Sequence, residues 1–170
     1  MVNAIRAILE RDLSTLRREI EAYPDERDLW REVPGLPNVA GTLALHLAGN
    51  IQHFFGAQLG GTGYRRDRPA EFARRNVSRA ELLAEVEGAR RAIRAALDKL
   101  PESRLSADFP EPIAGSTFET GEYLFHLATH FAYHLGQLDY HRRMVTDSNA
   151  GVGAMRPGEL SSARPAGAGT

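Results

Sequence analysis

The sequence predicts an all-α protein, a four-helix bundle, on three observations. Apolar residues recur at helical spacing in four long segments, no region is rich in strand-like alternation, and capping and proline signals separate the segments. At 170 residues the chain supports one domain with a substantial core and leaves little room for a second.

The first helix is expected over residues 3–22, where Ile5, Ile8, Leu9, Leu13, Leu16 and Ile20 form one stripe and Pro24 follows as the stop. A linker to Pro37 carries Trp30, expected to plug one end of the bundle. The second helix, 39–59, opens after Asn38 as its expected cap. Leu43, Leu45, Leu47, Ile51, Phe54, Phe55 and Leu59 make it apolar almost all round, which marks a central helix. Its polar residues His46, Asn50, Gln52 and His53 therefore demand an explanation.

Gly60-Gly61-Thr62-Gly63 ends that helix, and a basic stretch with Arg65, Arg66 and Arg68 follows as an expected solvated loop to residue 77. No strand precedes the glycines and no Gly-Lys-Ser/Thr follows, so the stretch is a poor phosphate loop. Ser78-Arg-Ala-Glu81 is a capping box that opens the third helix, 78–100, with Leu82, Val86, Ala89, Ile93, Ala96, Leu97 and Leu100 as its stripe. Residues 101–115, with three prolines, are expected to make an extended or hairpin excursion. Ser116-Thr-Phe-Glu119 reads as a second capping box, opening the fourth helix to Val145. Residues 1–146 form the expected bundle, and 147–170, rich in Gly, Ala, Ser and Pro, a flexible tail.

A net charge of -1 argues against a nucleic-acid or anionic-membrane surface. Arginine supplies nearly all the positive charge, Lys99 being the only lysine. Cysteine is absent, which excludes disulfides, thiolate metal sites and cysteine nucleophiles. The start of the chain has no signal-peptide pattern and no run long enough to span a bilayer, so a cytoplasmic protein is expected.

The chemistry concentrates in His126-Leu-Ala-Thr-His130-Phe-Ala-Tyr-His134 on the fourth helix. Residues four apart on a helix sit about 6 Å apart along the axis and about 40° around it, so two such imidazoles reach one ion. An imidazole on an apolar face is costly unless its nitrogens are satisfied. The two most apolar helices both carry histidines, and their stripes must face each other. His130 and His134 with His46 are therefore the expected metal ligands, leaving at least one coordination position open for water or substrate.

The remaining histidines fit that ion less well. His53 lies about 10 Å along the helix from His46, and adding His126 would stretch three ligands over about 12 Å of one helix. Both are expected in the pocket beside the ion, with Asn50 and Gln137, rather than as ligands. His141, next to Arg142 and Arg143, is expected as a cation complementing the helix C-terminal dipole. A di-iron carboxylate site is excluded, because Glu-x-x-His is missing and Glu122 and His126 are four apart. A zinc-protease site lacks its glutamate between His130 and His134.

These residues resemble the DinB/YfiT superfamily of four-helix-bundle metal proteins. The likeness rests on Leu43-Ala-Leu-His46-Leu, on His130-Phe-Ala-Tyr-His134-Leu-Gly136-Gln137 and on the helix order, over residues 3–146. Carried over by position, the family's metal triad is His46, His130 and His134. Gly136 is expected to let a neighbouring helix approach closely. Asn50 departs from a pattern in which many relatives have a glutamate.

The resemblance implies an up-down-down-up bundle, a homodimer, and a divalent metal, zinc or nickel, that activates a low-molecular-weight thiol such as bacillithiol or mycothiol. The function expected on that basis is thiol S-transfer to a small-molecule electrophile, with Arg65, Arg66 and Arg68 as candidate contacts for acidic substrate groups. Two alternatives stand beside it: a non-catalytic metal-binding stress-response protein acting as a dimer, and a metal-free binding module whose histidines are pocket polar groups. Three histidines alone accept zinc, nickel, copper or iron.

Overall fold

A computed structural model describes residues 1–165 and 167. Four long helices carry the fold among these residues: α1 (Val2–Glu21), α2 (Ala40–Ile51, continued by π-helical turns over Gln52–Leu59), α4 (Arg79–Leu97) and α5 (Thr120–Thr146). A short helix, α3 (Arg68–Ala73), interrupts the segment expected as a loop. Its entry is a cap: the Asp67 carboxylate accepts from the Ala70 N–H, and Pro69 sits in the first turn.

The long helices bury most of the stripes their sequences display, with Ile8, Leu59 and Leu100 half-buried. Ile5, Leu9, Leu13, Leu16 and Ile20 of α1 are fully buried, and every residue of Ala40–Ile51 is buried, as a central helix requires. Side-chain contacts fix the directions. Arg94–Glu10 and Arg6–Asp98 pairs run α1 antiparallel to α4, while Tyr23–His141 and Glu19–Arg142 join the C-terminal ends of α1 and α5. The Trp30 indole N–H bonds to Val77 O beside Gly41, and Gly60 lies against Ala95 and Ala96, so α2 and α4 are parallel. Tyr123 near the start of α5 meets Phe54 late in α2, so those two are antiparallel. The result is up-down-down-up, with α4 and α5 each packed against both α1 and α2.

Two caps differ from the sequence expectation. α2 is capped by Val39 without a side-chain bond, so Asn38 does not cap it. Ser116-Thr-Phe-Glu119 is not a capping box, because its backbone belongs to a hairpin. Phe109 N–H donates to Phe118 O at 2.8 Å, and Ile113 and Ser116 bond each other at 2.8 and 3.0 Å. Ala114 and Gly115 turn the tip with positive φ, and α5 begins at Thr120. Residues 101–115 thus supply most of the expected excursion, which takes four further residues from the fourth helix.

No helix among the described residues is long and apolar enough to cross a membrane. Of the expected tail, residues 166 and 168–170 lie outside the described residues. Residues 147–165 are irregular apart from a short 3₁₀ turn at Pro157–Glu159, and mostly exposed. Arg18 Nε donates to Val152 O and Arg142 Nη2 to Ala150 O, both at 2.9 Å, which lays this segment along α1 and the end of α5.

The Glu19–Arg142 pair is almost wholly removed from solvent, and Glu19 Oε1 has no hydrogen-bond partner among the described residues. Burial already raises Glu19 to about 7, and removing Arg142 takes away its cationic partner and hydrogen-bond donor. Arg142→Ala should lower the unfolding free energy by about 3–5 kcal/mol in urea titrations. The apolar double replacement Glu19→Leu with Arg142→Met should recover most of that loss. A single variant as stable as wild type would show that the pair is solvated.

Candidate metal centre

The antiparallel contact of α2 with α5 brings His46 against His130 and His134. One nitrogen from each of the three lies within 4.8 Å of the others. His46 Nε2 and His130 Nε2 are 3.4 Å apart. Two nitrogens bound tetrahedrally at 2.0–2.1 Å from one zinc ion stand about 3.3–3.4 Å apart, so this pair already has a ligand's spacing. The rings face one another edge to face, with centroids 4.6 to 5.3 Å apart. The donor set fits a divalent metal of borderline softness with an open position.

Each ring has a different partner on its outer side. His134 Nδ1 donates to Gln137 Oε1 at 2.7 Å, which leaves its Nε2 lone pair free. His46 Nδ1 lies 3.0 Å from Glu71 Oε2. His130 Nδ1 is buried and has no hydrogen-bond partner among the described residues. Burial pushes His130 down to about 4, reinforced by His134, His46, His126 and Arg66 nearby. Burial also lowers His134, against the opposing bond to Gln137. Both rings therefore keep lone pairs for metal at neutral pH.

Glu71, bonded to His46, is the residue of this cluster that sequence reading missed. It is buried on α3, where burial raises its carboxyl but hydrogen bonds from His46 and Arg66, with the Arg66 charge, hold it below the usual range. Its signals were an Asp-x-Pro helix start just before it and Gly49 inside an apolar helix. A Cβ at Gly49 would overlap Glu71 Oε1, so this glycine admits the carboxylate to the side of α2. Phe72 covers the His46 ring at 5.0 Å.

The other expected site residues sort by position. Arg66 is at the centre, bonded to both oxygens of Glu71 at 2.7 and 2.9 Å. Arg65 and Arg68 are exposed, Arg68 lying over the Phe72 ring. Asn50 is buried one turn beyond His46. His53 turns to Glu111 of the hairpin at 2.7 Å, and exposed His126 stacks on Tyr123 with its ring 6.3 Å from His130.

Two readings are corrected. His141 is not a surface cation: it is buried, its Nε2–H donates to Arg31 O, its Nδ1 accepts from the Tyr23 hydroxyl, and burial lowers its affinity for a proton. Gly136 admits no helix among the described residues, where nothing lies within 4 Å of where its Cβ would be.

A family model described as the DinB superfamily matches residues 8–138. No curated protein and no solved structure gives a significant match.

The histidine shifts set a pH dependence. His130 titrates near 4 when folded and near its ordinary 6.5 when unfolded, so the unfolded chain binds the extra proton between those values. Its contribution to the stability of the metal-free protein is complete above that window and lost as pH falls through it. Thermal melts of the metal-free protein should show a fall in Tm from pH 7 to 4.5 that is smaller in His130→Gln. Equal falls in the two proteins would contradict a neutral, desolvated His130.

Proposed function

The chain belongs to the DinB superfamily, and on that premise we propose that it is a metal-dependent thiol S-transferase. The observation that carries the reading is the convergence of His46, His130 and His134, three nitrogen donors with no fourth protein ligand in the group among the described residues. A divalent ion, zinc or nickel, would lower the pKa of a low-molecular-weight thiol so that a thiolate is present near neutral pH. The sulfur attacks a small electrophile, a carbon–sulfur bond forms, and the leaving group departs with the bonding pair. Bacillithiol and mycothiol are the thiols proposed.

The chain's own residues prepare the donors. Gln137 holds the His134 ring, α3 closes over His46, and burial keeps His130 unprotonated. Exposed His126 lies at the rim, where a thiol would enter.

One observation favours a second reading, a non-catalytic metal-binding protein. The nearest carboxylate, Glu71, has both oxygens engaged by Arg66 and His46, so it is not free to act as a base.

We also propose a homodimer through α5. Tyr133 and Tyr140 are 65% and 69% exposed on either side of bare Gly136, and Met144 extends the stripe. With Leu36 and Leu43 they line an apolar groove of about 410 Å³. A second α5 crossing antiparallel at Gly136 would set each Tyr133 against the partner subunit's Tyr140, a self-complementary contact.

Elemental analysis should find about one zinc or nickel per chain in wild type and less than a tenth of that in His130→Ala and His134→Ala. Wild-type metal content in both variants would place the ion elsewhere. Metal-loaded protein should consume bacillithiol or mycothiol with an electrophilic acceptor. Silence with both thiols and glutathione would favour the non-catalytic reading. In sedimentation velocity, wild type should run as a dimer and Gly136→Arg as a monomer; a monomeric wild type would end the dimer proposal.

A further inference from the structure

We propose that Glu71 is a positioning residue for the metal centre. It fixes His46 in the tautomer whose Nε2 lone pair faces His130 and His134, and Arg66 holds Glu71 in place. This inference rests on the metal reading above.

The argument begins with two conflicting neighbours of His46 Nδ1. Glu71 Oε2, at 3.0 Å, can only accept a hydrogen bond, whereas Arg66 Nη2, at 3.3 Å, can only donate one. One ring nitrogen cannot satisfy both. The carboxylate is nearer, and Arg66 Nη2 already has a better acceptor in Glu71 Oε2 at 2.9 Å. Nδ1 therefore carries the hydrogen and Nε2 the lone pair, 3.4 Å from His130 Nε2. The hydrogen bond at one imidazole nitrogen decides what the other can ligate.

The carboxylate is held as firmly as the ring. Arg66 grips it through Nε to Oε1 at 2.7 Å and Nη2 to Oε2, the bidentate geometry that fixes orientation. His46, Glu71 and Arg66 have side chains only 7%, 7% and 11% exposed. Arg66 and Glu71 are five residues apart on one segment, so the clamp is a local unit built by α3 and the residues just before it. It reaches His46 because Gly49, three residues further along α2, has no side chain. Both carboxylate oxygens are committed, so Glu71 acts on the ion through His46 and not as a ligand. Gln137 gives His134 a similar but uncharged support, and His130 has none among the described residues.

The test uses the full chain and zinc(II), titrated against a chromophoric chelator. Glu71→Ala should bind zinc 10–100-fold more weakly than wild type, the usual cost of losing such a partner. Glu71→Gln, which keeps an acceptor oxygen, should lie between them. Glu85→Gln, which removes a carboxylate bonded to Gln52 on the same helix, should match wild type. Nitrogen-15 imidazole spectra of the metal-free proteins give a readout that a merely structural role would not move. Wild type should show His46 with hydrogen on Nδ1, and Glu71→Ala should show it wholly or partly on Nε2. Equal zinc affinity in wild type, Glu71→Gln and Glu71→Ala overturns the inference. If wild type binds no zinc, the metal reading fails and the spectra decide the role of Glu71: an unchanged tautomer in Glu71→Ala overturns it, and a changed one supports it.

Discussion

A histidine carried into an apolar interior must have its ring nitrogens answered, and this constraint shapes the centre of the molecule. An unpaired buried polar group costs on the order of 1–3 kcal/mol in proteins. Here three imidazoles meet between α2 and α5, His46 buried and His130 and His134 half-buried, and each turns a nitrogen toward the others. As packing alone, the cluster leaves His130 Nδ1 without a partner among the described residues, whereas a cation would draw the three facing nitrogens together. The arrangement is therefore costly as pure packing and sensible as a set of ligands.

The bundle's topology brings these groups together. Because α2 and α5 run antiparallel, the middle of one helix meets the middle of the other, and His46 meets the His130–His134 pair. Glycine then decides what may approach α2. Gly41 receives the Trp30 ring, Gly49 the Glu71 carboxylate, and Gly56 lies against Thr62 and Ala92. A side chain at Gly49 would have kept α3 away. The same helix buries His46 and admits the carboxylate bonded to it.

The long-range plan was legible in the sequence because apolar spacing and helix-length runs depend on local chemistry. The triad was legible for the same reason: His130 and His134 share a face by spacing, and His46 lies on the helix whose burial was evident. Glu71 was not, because a short helix inside an Arg-rich segment has too few residues to show a stripe, and its burial depends on a glycine far away in sequence. His141 was misread because neighbouring arginines suggested solvent, whereas the turn after α1 supplies Tyr23 and the Arg31 carbonyl to bury it. The Ser116 box failed because hairpin pairing claimed the backbone that a helix needed.

The proposed metal centre depends on three imidazoles meeting at one ion. X-ray absorption spectroscopy of the zinc-loaded protein reads that first shell without needing a substrate. Three imidazole nitrogens at about 2.0–2.1 Å, completed by water or another light atom, is the predicted result. A shell with one imidazole or none, made chiefly of carboxylate or water oxygens, would contradict it.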